Sequence, residues 1–139
     1  MKLLIDTNVV VDIFLKREPF FQSSYRMMKY AVQEEIPCIL SATAVTDIYY
    51  LLHRGLPDKA AARTSLHHLL QLVDVVDVLA QDIHFAIDSG ITDFEDAVVA
   101  AVAARNKANY IITRNDRDFA SSTVPAITPA AFLKQQRPE

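Results

Sequence analysis

Residues 3–14, Leu-Leu-Ile-Asp-Thr-Asn-Val-Val-Val-Asp-Ile-Phe, change character at Asp6. The run from Lys2 to Asp6 is short, apolar and ends in an acid, with no alternation, as in a strand covered on both faces. From Asn8 the apolar residues take helical spacing, and Asn8 is placed to cap the first amides of the new helix. A strand that hands over directly to a helix opens a βαβ unit. The rest of the chain repeats the theme. Pro19 opens a helix over PFFQSSYRMMKYAVQEE, Pro37 introduces the strand PCILS, and Ser41 caps the helix ATAVTDIYYLLHR, which Gly55 and Pro57 stop.

Further along, the helix PDKAAARTSLHHLLQL leads into the strand VDVVDV, and QDIHFAIDS is a short helix closed by Gly90. Thr92 and Glu95 have capping-box spacing before the helix DFEDAVVAAVAARNK, in which Asp93 is a first-turn acid favoured by the helix dipole. The strand NYIIT, a polar loop RNDRD, a strand VPAIT and a last helix from Pro129 complete the pattern. Strands alternating with helices imply a three-layer α/β/α sandwich around a parallel sheet of four to five strands. The 139 residues suit a single domain over 1–139, with no repeat or linker.

Composition excludes several classes. With 51% hydrophobic and 22% charged residues the chain is not disordered, and a formal net charge of −3 argues against a binder that simply neutralises phosphates. Cys38 is the single cysteine, in the apolar run PCIL, so an intramolecular disulfide is impossible and a buried thiol in a reducing cytoplasm is expected. Asp6 and Asp12 interrupt the apolar N-terminal stretch, which argues against a secretory signal. No run reaches the roughly 20 apolar residues of a membrane span.

Ligands of open α/β sheets bind beyond the carboxyl ends of the strands. Asp6 ends the first strand, Asp47 lies in the helix after the second, Asn115, Asp116 and Asp118 follow YIIT, and a right-handed crossover brings Asp96 to the same edge. Asp96 shares a helical stripe with Val99, Ala100 and Ala103, and Asp47 has Ala44, Tyr50 and Leu51 as helical neighbours, so each charge needs a partner. For Asp47 the structural alternative is a salt bridge to Arg54 or another base. Two carboxylates about 4 Å apart repel by about 4 kcal/mol at an effective dielectric near 20, so a cluster calls for a bridging cation. The donors are oxygens. His67 and His68 point apart on one helix, and His53 and His84 stand away from these acids, which favours Mg2+ or Mn2+ over zinc.

The segments IDTNVVVDIF, SATAVTDIYYLL, DFEDAVVAAVAA and ITRNDRDF occur in this order over Lys2 to Leu133, and together they resemble the PIN-domain family and more narrowly its VapC-type toxin nucleases. The resemblance implies hydrolysis of RNA by metal-activated water, leaving a 5′-phosphate, and it maps the core acids onto Asp6, Asp47 and Asp96. Asp6 and Asp96 are then the metal ligands. Many relatives carry Glu at the second position, so Asp47 is shorter by one methylene and is expected to act through water. The fourth position falls on Asp118, then Asn115, then Asp116. Thr7 and Asn8 match the opening motif, Thr113 is placed to donate to an acid, and Arg54, Arg114 and Arg117 are the bases expected to face RNA. The family commonly forms homodimers and is neutralised by a small antitoxin. Phosphatases that use an aspartyl intermediate need a second Asp where this chain has Asn8, and receiver domains need an acidic pair on the first strand. The remaining alternative is a PIN scaffold that binds RNA or protein without cutting.

Overall fold

Leu3, Leu4 and Ile5 are fully buried and form β1 (Leu3–Ile5), the middle strand of a five-stranded parallel sheet of order β3-β2-β1-β4-β5. The coordinates are a computed structural model that describes residues 1–136; the last three residues of the expected domain lie outside it. The neighbours of β1 are β2 (Cys38–Ser41), in register Leu3 to Cys38, and β4 (Tyr110–Ile112), in register Leu3 to Tyr110. The edge strands are β3 (Asp74–Val76) and β5 (Ala126–Ile127). The expectation of a parallel sheet in an α/β/α sandwich is met.

The two-residue period of a strand divides its side chains between two cores. Leu3, Ile5, Cys38, Leu40 and Ile112 pack into one, with residues of α1 (Thr7–Phe14), α2 (Phe21–Gln33), α3 (Ala42–Gly55), α4 (Lys59–Leu72) and α7 (Pro129–Gln136). Leu4, Ile39 and Ile111 pack into the other, against α5 (Ala80–Ile87) and α6 (Phe94–Arg105). Each fully buried Leu or Ile contributes about 1.5–3 kcal/mol, so the short strands are held mainly by the helices on either side. The chain moves outward from β1 through β2 to β3, then returns to place β4 on the opposite flank of β1. The strand order therefore reverses between β1 and β4, the point where open α/β sheets form a crevice.

Three local expectations are corrected. Asn8 does not cap α1: Asp6 does, accepting the Thr7 amide at 2.8 Å, and Asn8 is already helical. Asp93 rather than Thr92 caps α6, through the Asp96 amide at 3.1 Å, which frees Glu95 from the expected capping box. Gly55 ends α3 without a positive φ; a Cβ there would stand 2.7 Å from the Leu15 side chain, so packing space is what favours glycine. Ser41 caps α3 as expected.

Asp12 is completely buried near the end of α1 and receives Arg114 through Nε at 2.9 Å and Nη2 at 3.0 Å. Phe20 covers the guanidinium, whose Cζ lies 4.1 Å from the ring centroid. The pair anchors the segment after β4 to α1. Asp12→Ala should destabilise the protein by about 2–3 kcal/mol in urea unfolding, less than the ~3–5 kcal/mol of a pair buried on both sides because Arg114 keeps some solvent contact. An unchanged midpoint would mean that the pair holds nothing together.

Candidate active site

Asp6 is the residue at which β1 becomes α1, and it is 8% exposed. A buried carboxylate needs donors, and two segments supply them. Besides Thr7, the hydroxyl of Thr113, the residue after β4, donates to Oδ2 at 2.8 Å, and Asn8 Nδ2 lies 3.4 Å from both that oxygen and the Thr113 hydroxyl. Asn8 Oδ1 accepts the Arg114 amide at 3.2 Å, and Thr113 accepts the Asn115 amide at 3.1 Å. Asn8 therefore orients Asp6, as its place in the motif suggested, although it caps nothing. Burial pushes the Asp6 pKa up, and the Thr113 and Thr7 hydrogen bonds pull it partly back.

A groove of about 770 Å3 opens over this point, lined by Asp6, by Thr7 and Asn8 of α1, Asp47 of α3, Glu95 and Asp96 of α6, and Asn115. Asp96 is half-buried, and its pKa is pushed up to about 7, first by burial and then by the charges of Asp6, Asp93, Asp118 and Glu95. Two acids remote in sequence, Asp6 and Asp118, thus act on one carboxylate together with its helix neighbours Asp93 and Glu95. Asp118 and Asp93 line an adjoining depression with Arg117, and Asp116 lines neither hollow.

Several placements differ from the simplest reading. Asp47 is exposed, so the expected cost of burying its charge does not arise, and it makes no ion pair with Arg54. Arg54 lies over the Tyr50 ring at 5.6 Å, and it is Tyr50 that lines the groove. Arg114, expected to face RNA, is instead engaged by Asp12 and Phe20. Sequence reasoning missed Arg17, Tyr50 and Phe94 as lining residues, and left Glu95 to a cap. Asp12 had a legible signal: an acid inside an apolar helical stretch requires a partner, by the same argument applied to Asp96.

Oxygen donors and carboxylates whose charged forms are penalised are chemistry that fits a hard divalent cation. Among the described residues, however, no group of three or more His, Cys, Asp or Glu side chains stands arranged to hold a metal ion. The donor types fit; the side chains as they stand are not gathered into a shell.

A family model described as PIN domain matches residues 2–117. Ribonuclease VapC1 of Aquifex aeolicus is 23% identical over 139 residues, 96% of this chain and 94% of its own length. Among solved structures, that of VapBC2 from Rickettsia felis bound to a promoter DNA fragment superimposes with a TM-score of 0.72 at 16% identity, covering 92% of this chain and 98% of that one. VapC20 of Mycobacterium tuberculosis, a sarcin-ricin loop cleaving toxin, gives 0.69 at 20% identity over 91% and 99%. At these identities the solved structures establish likeness of fold.

The Asp96 shift makes stability depend on pH. The folded acid titrates near 7 and its ordinary value is 3.8, so between the two the folded chain binds the extra proton. With divalent ions chelated, stability should therefore fall as pH rises through that window, and be lowest above about 7. Thermal melts in chelator should show Tm dropping across this range, with a smaller drop in Asp96→Asn. A native Tm as insensitive to pH as the variant's would show that the Asp96 pKa is not raised in the folded chain.

Proposed function

The chain belongs to the PIN-domain family, and on that premise we propose that its carboxylate groove hydrolyses RNA phosphodiester bonds in a Mg2+- or Mn2+-dependent reaction. The observation that carries this reading is the convergence of Asp6, Asp93, Glu95 and Asp118 on Asp96, at the crevice between β1 and β4. Asp6 and Asp96 would hold the ion. When bound, a hard divalent ion lowers the pKa of an attacking water and screens the phosphate from the acids.

The chain's own side chains supply the positioning. Thr113 and the Thr7 amide engage both oxygens of Asp6 and so hold that carboxylate in one orientation. Asn8 keeps Asp6 and Thr113 in register with each other. Asp47, exposed on the α3 wall, accepts a hydrogen bond from the attacking water rather than binding the ion directly. Attack on phosphorus breaks the bond to the 3′ oxygen and leaves a 5′-phosphate. Asp118 acts on Asp96 through its charge, and Asn115 lines the groove, so the fourth position is shared between them. Arg17 and Arg117 are the cations placed to meet phosphates.

In this reading the chain is the toxin of a toxin-antitoxin pair, one domain over 1–139, homodimeric and cytoplasmic, with a small antitoxin as partner. The likeness to ribonuclease VapC1 supports the activity, and the likeness to VapBC2 and to a Klebsiella pneumoniae toxin-antitoxin complex supports the partner. An apolar hollow between α1, α2 and α4, lined by Val10, Ile13, Phe14, Met28 and Leu69, offers such a partner a surface. A scaffold that binds without cutting is the second reading, favoured by the ungathered carboxylates.

Cleavage of a mixed RNA pool with magnesium, with manganese and with chelator separates the two. Cutting should require the metal, and Asp6→Asn or Asp96→Asn should lower it at least about 100-fold, the loss of a few kcal/mol of charge stabilisation. Asp47→Asn should cost less, about 10- to 100-fold, the range for a group that supports a metal site without ligating the ion. Metal-dependent cutting that survives both Asp6→Asn and Asp96→Asn would remove the groove as its source. RNA binding without cutting in either metal would favour the scaffold.

A further inference from the structure

We propose that Tyr50 and Phe94 are stacking platforms for the bases on either side of the phosphate presented to the carboxylates, an inference that rests on the ribonuclease reading above. Both rings line the same groove as Asp6, Asp47 and Asp96, and both stand in solvent, Tyr50 at 59% and Phe94 at 44% exposure. A single exposed aromatic is ordinary on a protein surface. These two are set apart by placement. Tyr50 is three residues beyond Asp47 on α3, which packs on one face of the sheet, and Phe94 is two residues before Asp96 at the start of α6, which packs on the other. The rings therefore belong to the two walls that flank the acids.

Charge gives the reason for an aromatic solution. The chain carries a formal net charge of −3, the groove is lined by four acids, Asp6, Asp47, Glu95 and Asp96, and Arg17 is the one Lys or Arg among its described lining residues. Phosphate contacts, which dominate the affinity of most nucleic-acid binders and make it steeply salt-dependent, have little to work with here. Base faces are uncharged and stack on aromatic rings with little regard to sequence. Arg54 stands over the Tyr50 ring at 5.6 Å, a cation–π contact that helps hold it in place beside the groove. The occupant is thus an unpaired stretch of RNA whose bases turn to the two walls, because a base within a duplex keeps both faces stacked on its neighbours.

The test measures KM and kcat for cleavage of a short single-stranded RNA by the native protein and by Tyr50→Ala, Phe94→Ala and the double variant. Affinity for the same labelled RNA is read by fluorescence anisotropy in an Asp96→Asn background, which slows cutting. Each alanine should raise KM and weaken binding about tenfold, within the range for losing one stacked base, and the double variant about a hundredfold. Tyr50→Phe should restore native binding, and Tm should stay unchanged in all of them since both rings are exposed. An abasic oligonucleotide of equal length should bind weakly and be indifferent to the substitutions. The salt dependence should be shallow, with a log–log slope of about −1.5 or less in magnitude, the value for one or two phosphate contacts.

Alanine variants with native KM and native affinity would overturn the proposal, as would equal losses on the abasic strand or the steep salt slope of a many-phosphate contact. If the native protein cuts RNA and the variants cut it equally well, the platforms fall and hydrolysis stands. If no metal supports cutting but the alanines abolish binding of the base-bearing strand alone, the platforms stand and the hydrolytic reading falls. Absence of both cutting and binding overturns both.

Discussion

The carboxylate of Asp6 is the point on which the rest of the groove depends. It sits at the carboxyl end of the central strand, almost out of solvent, and a charge in that position persists only if the fold surrounds it with donors. Those donors come from the first turn of α1 and from the residue after β4, so satisfying Asp6 also joins the two strands between which the strand order reverses. Asn8 extends the network to the backbone of Arg114, and Arg114 reaches back to Asp12 at the far end of the same helix. One side chain thus sets the geometry of a loop that is distant from it in sequence.

The acids of this protein divide by whether an arginine answers them. Asp12 is answered by Arg114, and Asp82 by Arg105, which also reaches the Asp77 carbonyl and so fastens α5 to α6. Burial works against the charge of Asp82, yet the Arg105 and Leu79 hydrogen bonds hold its pKa below the ordinary value. Among the described residues no arginine or lysine forms an ion pair with Asp6 or Asp96. Both have pKa values pushed upward, Asp6 mainly by burial and Asp96 by burial with the field of its neighbours. Burial raises the Asp12 pKa as well, in spite of Arg114, so what sets Asp6 and Asp96 apart is the lack of an ion-paired arginine or lysine among the described residues, a charge deficit that a cation would relieve.

That division also explains how a negatively charged chain can be read as acting on a polyanion. A site that attracted phosphate through lysines and arginines would need no ion to approach its substrate, and this groove is built the other way. Its walls offer carboxylates, hydroxyls and two aromatic rings, with Arg17 as the cation among the described lining residues. On the proposed reading, recognition through bases and chemistry through acids would occupy adjacent stretches of the same helices, Asp47 and Tyr50 on α3, Phe94 and Asp96 on α6. The short spacing within each helix keeps binding and chemistry in fixed relation.

The architecture was legible in the sequence because it is encoded locally. Unbroken apolar triplets such as Leu3 to Ile5 and the helical spacing of Val9 to Phe14 follow from which faces must be covered, and the order of strands and helices then leaves few topologies. The convergence of Asp6 and Asp96 was legible too, since an acid at a strand end and an acid on an apolar stripe each lack a local partner. Contacts across the sheet were not. Nothing local says that Arg114 turns to Asp12 instead of the groove, that Asp47 lies in solvent, or that Asp93 displaces Thr92 as the cap. Asn8 had the right residue type for a cap but took up cross-strand hydrogen bonds, because Asp6 lies closer to the helix start and Thr113 arrives from β4. Periodicity and residue type determine which segments form and which charges need answering; only the packed chain decides which partner answers them, because partners remote in sequence become neighbours when the sheet closes.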